Sequence, residues 1–203
     1  MVDDVSTFLR HLDAVGISGS ERVTRGWPHI GAVLADAALQ PGRKYEKQVR
    51  RRVHGLMSAW PDAATTRGLL ARLVRDDLAQ ALNWNGPRRV GKVEPMARVL
   101  EKHGVNDVTE FREALQDSTR RTPLRADLGQ VWGVGRKTLN YLHILVGDND
   151  VVAIDSQITS VARDAGITSL SVAHLEHVVT EAARQRGWRP GDLDAAIWQY
   201  TQA

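Results

Sequence analysis

Residues 128–161 read LGQVWGVGRKTLNYLHILVGDNDVVAIDSQITSV, and the order of residue types here sets the expectation for the fold. Gly133-Val134-Gly135 is a glycine turn, followed at once by Arg136 and Lys137 and by an apolar row at helical spacing, Leu139, Leu142, Leu145 and Val146. Glycine serves where the backbone needs positive φ or must approach another group closely. The turn therefore feeds a helix N-terminus, where first-turn amides and the positive end of the helix dipole favour a phosphate. The spacing is too short for the dinucleotide fingerprint, and a P-loop would need a Gly-Lys-Ser/Thr run that is absent, so no nucleotide cofactor is expected.

Lys137 falls in the first turn of that helix, where the dipole disfavours a positive charge, the setting a Schiff-base lysine uses. The helix should end near Gly147, with a turn at Asp148-Asn149-Asp150 and a short buried extended run, Val151 to Ile154. Asp155 then opens another helix, which Gly166 closes. Taken alone, Asp155 reads equally as an ordinary N-cap, because aspartate is among the favoured capping residues.

The run VWGVGRKT, the eighteen positions from Lys137 to Asp155 and the apolar residues at helical spacing after it resemble the helix-hairpin-helix DNA glycosylase superfamily, nearest to its endonuclease III branch. The resemblance covers roughly residues 27–203. It implies that Gly133, Val134, Gly135 and Arg136 hold DNA backbone, that Lys137 is the nucleophile and that Asp155 is the essential carboxylate. Trp132 stands where the family usually has proline, and Ser156, Gln157 and Ser160 stand where it usually has Thr-His and an arginine. Hairpins of this kind also occur as plain DNA grips, so a non-catalytic or monofunctional DNA-binding protein is the alternative.

The chain has 203 residues, a net charge of +3 and no cysteine, which excludes disulfides, zinc thiolates and the four-cysteine iron-sulfur cluster of many endonuclease III relatives. No cofactor is expected beyond a monovalent cation at the hairpin carbonyls, which the resemblance implies. No secretory signal or membrane span is legible, so a cytoplasmic protein is expected, nucleoid-associated if prokaryotic, and a monomer. Arg43, Lys44, Lys47, Arg50, Arg51 and Arg52 lie within ten residues, opposed only by Glu46, and read equally as a solvated helix face or as phosphate contacts.

Elsewhere the apolar periodicity is helical. Ser6 is expected to cap a first helix, Pro28 to open a second, and a third to run from about Lys44 to Trp60, with residues 17–26 as a linker. Two short helices follow before Leu82, one helix runs from about Val93 to His103, and Thr109 should cap the next. Residues 118–123 read as a basic connection into a helix at 124–131, with Arg120, Arg121 and Arg125 as solvated charge or an extension of the phosphate seat. His143 reads as a hydrogen-bonded structural histidine. Ser171 and Asp192 should cap the last two helices.

The expected fold is all-α, and the resemblance implies two helical lobes flanking a cleft. The central lobe would span 28–150 and contain the helix-hairpin-helix at about 124–146, and the second would combine 1–27 with 151–203. By resemblance, the loop 83–92 carries a wedge, Trp84 or Asn85, that compensates for extrusion of a base from the stack, and Arg88, Arg89 and Lys92 contact backbone. Trp84 reads equally as a core residue. The resemblance also implies that Asp36 and Gln40 lie near the base pocket. The expected partner is double-stranded DNA with a damaged, mismatched or modified base or an abasic site.

Overall fold

The computed structural model describes residues 3–17, 25–43 and 45–202, with the side chain of Gln202 excepted. The described residues are all-α, with no strand among them. In chain order the helices are α1 (Asp4–Ala14), α2 (Ile30–Leu39), a π-helical stretch Tyr45–Arg50, α3 (Arg51–Ala59), a 3-10 turn Pro61–Ala64, α4 (Thr66–Arg75), α5 (Leu78–Ala81), α6 (Pro87–Val90), α7 (Val93–Lys102), α8 (Val108–Gln116), α9 (Ser118–Gln130), α10 (Arg136–Leu145), α11 (Ser156–Asp164), α12 (Val172–Gln185) and α13 (Pro190–Gln202). No described helix is long and apolar enough to cross a membrane.

The chain forms two compact units, Arg25–Asp148 and, from both chain ends, Met1–Thr24 with Asn149–Ala203. The larger unit is built around α2. Its sequence, IGAVLADAAL, is apolar nearly all round, which is the pattern of a central helix rather than a surface one. All ten of its residues are buried, Asp36 included, and α3, α4, α7 and α10 pack on it. Fully buried leucines such as Leu34, Leu56, Leu69 and Leu100 each contribute about 1.5–3 kcal/mol.

His29, not Pro28, marks the start of α2: its Nδ1 accepts the Ala32 amide at 3.1 Å while Nε2 donates to the Trp60 carbonyl at 3.0 Å. That pair of roles requires the neutral ring, and burial holds the His29 pKa below its usual range. At the unit's far end the chain returns to its start. The Trp27 amide donates to the Leu145 carbonyl at 3.0 Å, and only glycine fits at position 26, with φ +117°, because a Cβ there would overlap the Leu145 carbonyl oxygen.

The smaller unit packs α1 and α13 on α12, and α11 on α13, around Phe8, Leu12, Leu175, Val179, Leu193 and Ile197. Its extended run at 151–154 is coil, not strand. The buried Ala153 amide finds its acceptor in the Asp194 carboxylate at 3.0 Å, so a side chain takes the place of a neighbouring strand.

Several helix starts differ from those expected. α1 begins after Asp3, upstream of Ser6. α8 is capped by Asp107, whose carboxylate accepts the Glu110 amide at 2.8 Å, so Thr109 lies inside it. Residues 118–123 are helical rather than a connection: Asp117 accepts the Thr119 amide at 2.7 Å and the helix runs through Pro123. Asp192 lies in the first turn of α13, not before it. Ser171 does cap α12. The expected third helix is π-helical to Arg50 and α-helical beyond; Lys44, and the expected linker over 18–24, lie outside the described residues.

Candidate functional site

The site of interest in the larger unit is the turn between α9 and α10 and the groups that hold it. Gly133 adopts φ +75°, which glycine alone takes without strain. A Cβ on it would lie 2.7 Å from Lys92 Nζ. Val134 is buried in the core and its amide donates to the Val131 carbonyl at 2.9 Å, so the apolar residue between the glycines anchors the turn. Gly135 has an ordinary φ of −102° and open space around its α-carbon. It precedes α10, which no side chain caps. Arg136 is the exposed first residue of that helix and Lys137 the second.

Arg125 is more than solvated charge. Its Nη2 donates to the Asn140 Oδ1 at 2.9 Å and thereby ties α9 to α10 on either side of the turn. His143 is buried, with Nδ1 2.7 Å from the Asp148 carboxylate, the structural arrangement expected.

Lys137 Nζ donates to Gln40 Oε1 at 3.2 Å. One turn further along α10, the Tyr141 hydroxyl donates to Asp36 Oδ1 at 3.0 Å. Asp36 and Gln40 are likewise one turn apart on α2 and its C-cap, so the two helices share two polar rungs, 36 to 141 and 40 to 137. Asp36 also receives Trp27 Nε1 and the Tyr45 hydroxyl on Oδ2, both at 2.8 Å. It is fully buried. Burial pushes its carboxyl up to about 6, outweighing the three donors, which act to lower it. Burial beside that carboxylate also raises the Tyr45 and Tyr141 hydroxyls. Asp36 therefore acts beneath the surface, as the acceptor at the centre of an aromatic cluster, while the half-buried Gln40 touches the lysine.

Residues 83–92, expected as a loop, contain the single helical turn α6, and their last residue reaches the turn before α10. Lys92 Nζ donates to the Gly133 carbonyl at 3.2 Å and lies 5.4 Å from the centre of the Trp132 ring. The Arg88 guanidinium lies 6.0 Å from the same ring, and Trp132 is 67% exposed. Burial and the neighbouring Arg89 lower the Lys92 pKa. Arg89 itself turns inward and donates to the Leu39 and Pro41 carbonyls at 2.7 and 2.6 Å, closing the C-terminal end of α2. Trp84 is half-buried against the core, with Arg43 and Arg52 over its ring at 5.6 and 5.4 Å. Asn85 is exposed. A cation at the Gly133 carbonyl would have to share it with the Lys92 ammonium; the residues do not suit one there.

In the smaller unit, Asp155 is the N-cap of α11. Its Oδ1 accepts the Gln157 and Ile158 amides at 2.9 and 3.0 Å. Both amide contacts fall on one oxygen, which fixes the carboxylate plane. Gln157 is half-buried and Ser160 exposed.

Sequence reasoning missed the partners of Asp36, namely Trp27, Tyr45 and Tyr141. A signal was present: an aspartate inside an otherwise apolar helix demands donors, and Tyr141 is one helical turn from Lys137.

Residues 80–202 match a family model described as Domain of unknown function (DUF8548). No curated protein and no solved structure matches the chain.

Proposed function

We propose that this chain, which belongs to the DUF8548 family of domains of unknown function, is a base-excision DNA glycosylase with AP-lyase activity. The observation that carries the reading is the placement of Lys137, second residue of an uncapped helix that follows a glycine turn flanked by Lys92 and Arg88. A lysine beside a phosphate seat is what strand-nicking imine chemistry requires. The resemblance of the VWGVGRKT run to the helix-hairpin-helix glycosylases and the spacing to Asp155 support the same reading. It treats α9, the turn and α10 as the helix-hairpin-helix, and the two units as lobes flanking a cleft.

In this mechanism the turn at Gly133 to Arg136 holds backbone beside the lesion, and the exposed Asn85 or the neighbouring Trp84 occupies the space the extruded nucleotide leaves. Asp155, its plane fixed by the two α11 amides, stabilises the positive charge that develops on the sugar as the base departs with the electrons of the glycosidic bond. It then accepts a proton from Lys137, whose nitrogen bonds to C1′. The C1′–O4′ bond then breaks, O4′ taking the proton held by Asp155 and remaining on the sugar as a hydroxyl, which gives the imine; removal of a C2′ proton expels the 3′ phosphate by β-elimination. Gln40, hydrogen-bonded to Nζ, positions the amine.

The test is borohydride trapping on a duplex with one abasic site, comparing wild type with Lys137→Ala. A covalent adduct that disappears in the variant is expected. Duplex binding without any adduct would overturn the lyase and leave the alternative, a monofunctional or non-catalytic DNA-binding protein, which the substitutions at Trp132, Gln157 and Ser160 favour.

A further inference from the structure

The larger unit also contains a depression of about 320 Å³ between the π-helical stretch with α3 on one side and the end of α5 on the other. Lys47, Arg51 and Arg52 line it, together with Gly55 and Asn83, and no carboxylate is among its described lining residues. Glu46, the one acid within the basic run, is engaged by Arg50 at 3.1 Å. Arg52 is held in place by the Gln48 and Asn83 carbonyls at 2.9 and 3.0 Å. Asn83, the residue after the C-cap of α5, takes the left-handed region at φ +46°, which asparagine tolerates better than other non-glycine residues.

Gly55 is the second observation. It sits inside α3, where glycine weakens a helix relative to alanine, yet nothing lies within 4 Å of where its Cβ would be, and its φ is not positive. Neither packing nor backbone conformation calls for glycine there. Its effect is to leave one wall of a cationic depression bare, so that a ligand can approach the helix backbone. Arg52 also lies over the Trp84 ring, and the loop that follows Trp84 ends in Lys92 on the Gly133 carbonyl. One short stretch of chain therefore carries both Trp84, under Arg52 at the depression, and Lys92, beside Trp132 at the turn before α10.

We infer that this depression is a second phosphate seat, which holds the sugar–phosphate backbone of the same nucleic acid away from the lesion. Charge without a carboxylate selects a polyanion, a pre-positioned Arg52 suits a phosphodiester oxygen, and aromatic rings interleaved with cations are the surface nucleic acid uses. The inference rests on the reading of the chain as a DNA-binding protein, and it does not depend on the lyase chemistry.

Gly55→Glu tests it without threatening the fold, because the new side chain enters open space and glutamate is the better helix former. Gly55→Ala is the control, and Lys47→Gln with Arg51→Gln removes the charge directly. Duplex affinity is measured for each full-length protein across about 50–200 mM salt. Wild type and Gly55→Ala should bind alike. Gly55→Glu and the double variant should bind roughly tenfold more weakly, and the double variant should lose about one to two from the slope of log K against log salt. Equal affinity and slope in Gly55→Glu would overturn the inference, as would a wild type with no salt-dependent duplex binding. So would a site that answers only to inorganic phosphate, seen as a phosphate-induced rise in unfolding temperature that Gly55→Glu abolishes while duplex binding stays intact. Trapping separates the two readings. An adduct with an insensitive Gly55→Glu sinks the second seat alone, whereas no adduct with a sensitive Gly55→Glu sinks the lyase alone.

Discussion

Asp36→Asn should abolish a specific piece of the protein's pH dependence. In the folded chain burial lifts the Asp36 carboxyl from its ordinary 3.8 to about 6. Well below 3.8 the group is protonated whether the chain is folded or not. Between about 4 and 6 the folded protein keeps a proton that the unfolded chain has lost, so stability falls as pH rises through this window. Above 6 both states are ionised and the full cost of burying the charge remains. The interval between 3.8 and about 6 corresponds to roughly 3 kcal/mol.

Asparagine is well suited to the comparison because it need not break the cluster. With its oxygen at the Oδ2 position it still accepts from Trp27 and Tyr45, and its amide then faces the Tyr141 hydroxyl, which can rotate to accept. Urea unfolding of both proteins from pH 4 to 7 supplies the two stability curves, and their difference is the quantity to read. His29, whose lowered pKa makes stability rise with pH over an overlapping range, contributes equally to both curves and cancels. The variant should gain roughly 2.4 kcal/mol on wild type between pH 4 and 7. Parallel curves would refute the assignment of a raised, burial-dominated Asp36 carboxyl.

The two glycines of the turn should behave differently. Gly133→Ala places a Cβ at φ +75° and 2.7 Å from Lys92 Nζ, and should lower the stability measured in urea by about 1–2 kcal/mol. Gly135→Ala, with an ordinary φ and open space, should leave stability within about 0.5 kcal/mol of wild type; any loss it causes should appear in DNA affinity. Arg89→Met should act on stability, not DNA contact. It leaves the Leu39 and Pro41 carbonyls without their donor, a loss of about 1–3 kcal/mol in chemical unfolding, with an unchanged salt slope of duplex binding.

The all-α character was legible because helical periodicity is a local property, repeated from Phe8 and Leu12 to Leu193 and Ile197. Capping was legible at Asp155 and Ser171, which stand directly before the apolar helical period begins. It was misread where two candidates stand close together: Asp107 outcompetes Thr109, since a carboxylate placed before the first turn satisfies the Glu110 amide directly. Pro123 misled in the same way, because proline usually ends a helix and here the Asp117 cap starts one ahead of it. What the sequence could not reveal are contacts between residues far apart along the chain. Tyr141 meets Asp36, Lys137 meets Gln40, and Arg89 reaches Leu39. Each pairing is set by how α10 and the 83–92 loop pack against α2, so Arg89 read as a DNA contact and Asp36 as a pocket residue, without their actual partners.

Because Gly26 and Trp27 are stitched to Leu145, the unit spanning Arg25–Asp148 is topologically an insertion whose entry and exit lie side by side. While the insertion is unfolded, the two halves of the split unit can meet only by closing a very long loop. Once it folds, the effective loop shrinks roughly thirtyfold, which lowers the entropic cost of joining those halves by about 3 kcal/mol. The architecture therefore favours a hierarchy of assembly: the inserted unit forms first, and α1 finds α12 afterwards.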